Sequence, residues 1–417
     1  MSSVHCPRPS SSSRFLLGQK ILWVLAAVAA GINIHNLVTN AKPLGVDWRE
    51  PGGTLLDFRD LVVVPGRYLW QGGNPYDPVP YLAAHPWAQE FDPYSPAWLL
   101  ISAAIGWMPH KWAAVVYLLA MTGISFLFAR MLARWAVPRW ACIAAPLLAI
   151  WFQIWFPARG MGSSFLVVIG IALTLVSLDH PDGERGWKPA IGIALAVLKP
   201  QFGVPFLLFL LALREWRTVA RGLVLAVASA LPALIACVVA AGGPSGFIGS
   251  IIRVTRHASS PDAPTGLLAA NSHRVDIAGL AVRIMGEHPG PVPALISMML
   301  FGSSLLLIWY RRPAPRLAAL VIPAAIYLLP VHLSYDIALV TISAAAAASL
   351  ALTRGVVLSW LTLAFAFVPM MHLHRITGLL GLSPLGGDLL DAASLLIVFC
   401  LGTVAVVQEN SSKLRIP

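Results

Sequence analysis

Charged residues are scarce in this 417-residue chain. Asp, Glu, Lys and Arg make up 11% of it, whereas an average soluble domain carries about 25%. Apolar residues make up 58% and the mean hydropathy is strongly positive. This balance excludes an ordinary soluble enzyme and predicts an all-α, polytopic membrane protein, with residues 1–417 forming a single transmembrane domain.

Cysteine is also sparse, and basic stripes are missing. Cys6, Cys142, Cys237 and Cys400 lie far apart and form neither a CxxC metal pattern nor a disulfide frame. The net charge of +11 comes from short basic patches between apolar runs, without interleaved aromatic residues. We therefore predict no metal site, no cofactor and no nucleic-acid partner.

Long apolar runs dominate what is present, and they predict about 12 membrane spans, within a range of 11 to 13. Residues 188–200 and 203–213 are the doubtful pair, since Pro200 cannot continue a helix without losing a backbone hydrogen bond. The run at 96–109 is short for a straight crossing of ~30 Å, and a crossing there would move every later basic patch outside. We therefore expect it to be re-entrant or interfacial, or else a full span that a miscounted neighbouring span compensates. The predicted spans are 16–38, 112–130, 140–156, 163–179, 188–200, 203–213, 218–241, 293–310, 315–331, 334–350, 355–371 and 388–407.

Basic residues fix the predicted topology. If 96–109 does not cross, alternate loops collect the cations, and the positive-inside rule assigns those loops to the cytoplasm. Two long loops, 39–111 and 242–292, then face outwards and hold most of the carboxylates. The chain is therefore expected in a bacterial inner membrane, with an extracytoplasmic active site. The cytoplasmic cations are Arg14, Lys20, Arg130, Arg134, Arg139, Arg185, Lys188, Arg214, Arg217, Arg221, Arg311, Arg312, Arg316, Arg354, Lys413 and Arg415.

The first outer loop carries the most informative carboxylates. Asp57 and Asp60 are three residues apart, a spacing that places them on one face of a short helix at the membrane surface. An acid beside a membrane span is a functional candidate, although pairing with Arg59 or Arg67 is the structural alternative. The loop is also rich in aromatic residues, which predict interfacial anchoring or, alternatively, sugar stacking: Trp48, Tyr68, Trp70, Tyr81, Trp87, Tyr94 and Trp98.

Several short motifs together resemble glycosyltransferase family 87. They are Asp57-Phe58, the run Gly72-Gly73-Asn74-Pro75-Tyr76-Asp77-Pro78, Tyr94-Ser95-Pro96, the Lys-Pro element in LAVLKPQFGVPFLLFLLALREWR at 195–217, and Asn271-Ser272. The chain departs from the family pattern at Gly162-Ser163 and around His332. Members are integral-membrane enzymes of the GT-C class, so the resemblance implies a GT-C bundle and a polyprenyl-phosphate-linked sugar donor. The expected acceptor is an extracytoplasmic glycan or glycolipid, reached within membrane lipids.

The chemistry of such a transfer assigns roles to particular residues. The acceptor hydroxyl needs a general base, for which Asp57 is the first candidate and Asp60 the second. The phosphate leaving group needs fixed cations: Lys199 and Arg274, with Arg67 and Arg159 in reserve. His332 and Asp336, at i and i+4, could be an ion pair, a proton relay or half of a metal site. Remaining substrate-binding candidates are Asn74, Tyr76, Gln201 and Asn271.

Two other functional classes compete with an inverting transfer of one mannose-like or arabinofuranose-like sugar. A secondary transporter would also have a dozen spans, but it should show two similar halves, and no such repeat is visible. Another envelope polysaccharide enzyme, a ligase or polymerase, would share the large outer loop. The acid directly after the first span favours the transferase.

Overall fold

The chain is helical in the computed structural model, which describes residues 13–50, 53–155, 163–258, 276–286, 290–330, 334–355 and 357–413. The helices of the first half are α1 (Ser13–Thr39), α2 (Leu56–Phe58), α3 (Val64–Trp70), α4 (Pro78–Ala84), α5 (Pro96–Gly106), α6 (His110–Ala136), α7 (Ala141–Trp155), α8 (Ser163–Leu178), α9 (Asp182–Arg185) and α10 (Lys188–Ala196). Those of the second half are α11 (Pro200–Ala212), α12 (Trp216–Ala240), α13 (Pro244–Ala258), α14 (Ile277–Met285), α15 (Val292–Arg311), α16 (Pro315–Tyr327), α17 (Val340–Arg354), α18 (Val357–Met370), α19 (Leu373–Leu379) and α20 (Pro384–Lys413). These described segments contain no β-strand.

Every predicted apolar run coincides with at least one helix, and the all-α membrane class is confirmed. Six helices in the described part of the chain are long and apolar enough to cross a membrane, and six further apolar helices are shorter. The nine residues of α10 extend only about 14 Å at 1.5 Å per residue. The figure of about 12 complete spans therefore remains a prediction.

Contacts between distant loops bring the predicted cytoplasmic patches to one end of the bundle. Arg316 pairs with Asp179 at 2.6 Å and donates to Ser349 at 2.7 Å. Arg185 pairs with Glu215 at 3.2 Å. The loops after α8, α9, α11 and α15 thus lie together at one end of the bundle. The predicted topology requires this, because it assigns all of these loops to the same side of the membrane.

The two predicted outer loops lie together as well. Arg253 on α13 pairs with Asp77 of the first loop at 2.6 Å. Phe247, six residues earlier on the same helix, contacts the Tyr76 ring edge to face at a centroid distance of 5.6 Å. These two contacts hold the amphipathic helix α13 against the first loop.

The segment between α10 and α11 is the interruption that Pro200 predicts. α10 ends at Ala196, and Lys199 has an extended backbone before Pro200 begins α11. α10 packs closely on α8 because Gly170 and Gly192 meet there: a Cβ on either would lie 2.5 Å from the carbonyl oxygen of the other. This packing brings the start of α8 beside residue 199.

Helix α5 covers the first loop. Its 11 residues span about 16 Å, roughly half of a hydrocarbon core, and the expectation that 96–109 does not cross remains a prediction. Trp98 is buried and donates to the Leu61 carbonyl at 2.8 Å. Gly66 lies against the Ser102 carbonyl so closely that a Cβ there would clash. Helix α5 therefore fixes the position of α3 and of the turn that precedes it.

Candidate active site

Asp57 lies at the seam between the first loop and the bundle. It belongs to α2, whose Phe58 packs on Tyr117 of α6 with ring centroids 4.8 Å apart. Its side chain is half-buried and close enough to Asp92 and Tyr117 to interact with them electrostatically. Within the described residues, Asp57 makes no hydrogen bond and no salt bridge, so no structural role accounts for it.

Asp60 is placed quite differently, and the prediction that it shares one face of a short surface helix with Asp57 is wrong. A π-helical turn over Arg59–Val63 follows α2 and turns Asp60 into the interior, where it is 0% exposed. Both carboxylate oxygens accept from Arg59, at 2.6 and 3.1 Å. Burial raises the pKa of Asp60, although the Arg59 guanidinium opposes that shift.

Arg59 is the anchor of this loop. It is also fully buried, and it donates to the carbonyls of Pro43, Val46 and Trp87 at 2.9, 2.7 and 3.2 Å. Its guanidinium lies 5.1 Å from the centroid of the Trp87 ring. The Arg59–Asp60 pair therefore connects distant parts of the loop, and the hydrogen-bonding groups of both side chains already have protein partners.

Lys199 lies at the same seam and is only 4% exposed. Its Nζ donates to Ser164 Oγ at 2.7 Å and sits 5.1 Å from the centroid of the Tyr94 ring. The backbone N–H of Ser95 donates to the Leu198 carbonyl at 3.0 Å. The Tyr94-Ser95-Pro96 motif and the Lys-Pro element, about a hundred residues apart in sequence, are thus in direct contact.

Asp92 is a further candidate residue that the sequence analysis did not single out. Burial raises its pKa to about 6, while the neighbouring Lys199 ammonium and Tyr94 favour the charged form. Asp57 and Glu90 add further negative charge nearby. The one available signal was its position, two residues before the motif that begins at Tyr94. A half-buried carboxylate that titrates near neutrality beside a buried cation is typical of a functional site.

The other described candidates of the first loop have structural partners. Arg67 donates to the carbonyls of Gly106 and Met108, both at 2.8 Å, so it connects α3 to the end of α5. Tyr76 is fully buried and donates to the Tyr94 carbonyl at 2.7 Å. Both side chains are thus bonded to backbone carbonyls of the protein.

Asn74 and Gln201 keep unused hydrogen-bonding groups. Asn74 is 5% exposed and its Oδ1 accepts from the Tyr76 backbone at 3.2 Å, whereas its Nδ2 has no partner in the described segments. Gln201 is half-buried in the first turn of α11, two residues after Lys199. Both remain available to bind substrate.

The aromatic residues of the loop form an internal cluster more than a surface belt. Tyr81, Tyr94 and Trp98 are buried, and Tyr94 contacts Trp98 edge to face at 6.1 Å. Trp70 by contrast is 67% exposed, as an interfacial anchor would be. Interfacial anchoring is therefore wrong for Tyr81, Tyr94 and Trp98, whose buried rings stabilise the loop instead.

Asp336 belongs to a second polar region in the other half of the bundle. It is buried in a 3-10 turn over Ser334–Leu339, close enough to Tyr327 for electrostatic interaction. Asp388, also buried, pairs with Arg283 at 2.7 Å and likewise acts on Tyr327. The 3-10 turn that holds Asp336 packs on α8, the helix whose first turn carries Ser164, the hydrogen-bond partner of Lys199.

Four predicted residues lie outside the described segments: Arg159, Asn271, Arg274 and His332. Among the described residues, no group of three or more His, Cys, Asp or Glu side chains is placed to hold a metal ion.

Comparison with known proteins gives one family. Searches of curated proteins and of solved structures find no match. The model of glycosyltransferase family 87 matches residues 93–322, more than half of the chain, including Tyr94 and Lys199 but not Asp57 or Asp336. The chain therefore belongs to glycosyltransferase family 87, and it is a glycosyltransferase with transmembrane helices.

Proposed function

We propose that the chain transfers one mannose-like or arabinofuranose-like sugar from a polyprenyl-phosphate donor to an extracytoplasmic glycan or glycolipid. The observation that carries the proposal is that a buried cation, Lys199, and a carboxylate without a hydrogen bond or salt bridge in the described residues, Asp57, both act electrostatically on Asp92. These residues lie where the first loop packs on the bundle. A lipid-anchored donor can reach such a seam from the membrane, whereas the catalytic carboxylate remains next to the outer aqueous phase.

Asp57 acts as the general base of an inverting displacement. Its carboxylate accepts the proton of the acceptor hydroxyl as that oxygen forms a bond to the anomeric carbon. The bond from the anomeric carbon to the phosphate oxygen breaks, and its electron pair leaves with the polyprenyl phosphate. One glycosidic bond replaces one glycosyl phosphate bond, so no oxidant and no further reactant is needed.

Lys199 stabilises the negative charge that develops on the leaving phosphate. Its ammonium is fixed by Ser164 and by the face of Tyr94, so little reorganisation is needed when that charge appears. Poor hydration strengthens the interaction further, because nearby charges are weakly screened in a partly dry site. Arg274 and Arg159 are proposed as additional phosphate ligands, with Asn74, Gln201 and Asn271 on the sugars.

Asp60 and Arg67 are assigned to structure in this proposal, because their charged groups are already bonded to protein. Asp336, in the second polar region, and His332 are proposed to relay the proton that Asp57 accepts or to bind the acceptor. The site faces the periplasmic or outer side of a bacterial inner membrane, in accordance with the basic loops at the opposite end.

The test is transfer by the purified protein in lipid nanodiscs. Radiolabelled polyprenyl-phosphate mannose and arabinofuranose are offered separately with a panel of glycolipid acceptors, and GDP-mannose serves as the nucleotide-sugar control. We expect product from one lipid donor, with loss of that product in Asp57→Asn. Transfer from the nucleotide sugar without any lipid carrier would refute the proposed donor.

A further inference from the structure

A basic cavity of about 900 Å³ opens at the end of the bundle opposite the proposed active site. It lies between the turn before α10 and the turn before α12. Four arginines and two tryptophans dominate its wall, with a single carboxylate. The lining residues are Arg185, Gly186, Trp187, Arg214, Glu215, Trp216, Arg217, Thr218 and Arg221.

Helix α8 separates this cavity from the sugar-transfer site. Ser164, at its beginning, accepts from Lys199, whereas the Leu178 carbonyl, at its other end, accepts from Arg185 at 3.0 Å. Fourteen residues at 1.5 Å per residue place these ends about 21 Å apart. A ligand in the cavity is therefore distinct from the donor phosphate, and the inference does not depend on the proposed function.

The positive charge of the cavity is largely uncompensated. Glu215 is paired with Arg185 at 3.2 Å and also accepts from Thr218 at 2.8 Å. Arg217 and Arg221 are exposed, and the described residues offer neither of them an ion pair or hydrogen bond. Two guanidinium groups one helical turn apart are thus free to bind the same anion, a geometry suited to phosphate.

Arg214 is held in place at a conformational cost. Its φ of +65° is in the left-handed region, which is unfavourable for a residue with a Cβ. Its guanidinium lies 4.9 Å from the centroid of the Trp309 ring, and Trp216 contacts the same ring edge to face at 6.4 Å. The turn is therefore built to present an arginine and aromatic rings at the cavity.

The surroundings favour a lipid over a soluble anion. Trp187 and Trp216 are 64% and 53% exposed, as tryptophans are where a protein meets lipid headgroups. Directly beyond Arg221, helix α12 exposes Leu223, Val224 and Val227, an apolar track on which acyl chains can lie. A headgroup in the cavity would place its chains along that track.

We propose that this cavity binds the phosphate headgroup of an anionic phospholipid. Arg217 and Arg221 contact the phosphate oxygens, Arg214 borders the headgroup, and the tryptophans flank the glycerol region. Basic pockets between helices on the cytoplasmic side commonly hold such headgroups. The proposal predicts selective retention of anionic lipid by the full-length protein.

The experiment measures which lipids the purified full-length protein retains. Protein is reconstituted in nanodiscs of phosphatidylcholine containing 20% phosphatidylglycerol or cardiolipin, re-extracted in mild detergent, and analysed by native mass spectrometry. The test variant is Arg217→Gln with Arg221→Gln. The control is Arg139→Gln with Arg130→Gln, which removes two cations from another basic loop. Each surface arginine is worth about 1 kcal/mol towards anionic lipid, or roughly fivefold in affinity.

We expect bound anionic lipid to fall at least tenfold in the test variant and less than twofold in the control. Equal retention by both variants would overturn the proposal, because the cavity arginines would then act only as topology signals. Inorganic phosphate at millimolar concentration provides the second arm, since full displacement of lipid by phosphate would mean a soluble-anion site and also overturn it. Correct folding of the variants is checked by gel filtration, and Arg217→Lys with Arg221→Lys should restore most of the retention.

Discussion

Replacing Lys199 by Met should abolish most of the sugar transfer while leaving the protein folded. Met keeps the length of the side chain and removes the ammonium, which donates to Ser164 at 2.7 Å and faces Tyr94. A fixed donor to a developing oxyanion is worth ~10²- to 10³-fold in turnover. Because the cation is nine-tenths buried and weakly screened, we expect an effect in that range.

Stability should change much less than activity. The substitution leaves Ser164 without its donor and Asp92 without its neighbouring cation, which costs about 1–3 kcal/mol. It also removes the penalty for keeping an ammonium out of water. Burial of a neutral Met in its place offsets part of the loss, so the melting temperature should fall by only a few degrees.

Lys42→Met is the matched control. Lys42 is also 4% exposed, but its ammonium donates to the Glu50 carbonyl at the other side of the first loop. Turnover is measured at saturating lipid donor with equal amounts of folded protein. Loss in Lys199→Met alone supports the assignment. Turnover within twofold of wild type in Lys199→Met would refute the reasoning, because the cation would then serve packing alone.

Three further predictions concern the first loop and the topology. Asp60→Asn leaves Arg59 buried without its counter-charge, so the free energy of unfolding should fall by roughly 3–5 kcal/mol. Turnover per folded molecule should change little, and an unchanged melting temperature would contradict this prediction. Asp92, with its raised pKa of about 6, is neutral below pH 6 and charged above, so the KM for the donor should rise as pH increases from 5 to 7.5, and Asp92→Asn should remove that dependence. Reporter fusions should place residues 311–316 in the cytoplasm, and an outside location would reverse the proposed orientation of the site.

Hydrophobic runs made the helices predictable, and the proline rule located the interruption at Pro200. These features depend on local composition, which a single sequence records directly. The extent of each span was harder to predict, because α10 and α11 are short helices and α10 packs extensively on α8.

The candidate site was only partly predictable. Spacing alone could not separate Asp57 from Asp60, since the π-helical turn that buries Asp60 is created by the contacts of Arg59 with distant carbonyls. Asp92 was missed for the same reason. Its pKa is raised by burial and opposed by the Lys199 ammonium, and Lys199 is brought near by the hydrogen bond between Ser95 and Leu198. Such long-range contacts leave no periodic signal in the sequence.

The most direct test of the central claim is the single-turnover rate of Asp57→Asn with saturating polyprenyl-phosphate sugar. The substitution removes the charge at nearly constant shape, so the rate should fall by the ~10²- to 10⁴-fold that positioned proton transfer supplies, while donor affinity stays close to that of the wild type. Asp60→Asn, compared per folded molecule, should lose far less. A rate for Asp57→Asn within threefold of the wild type would contradict the account, because the acceptor would then be activated without this carboxylate.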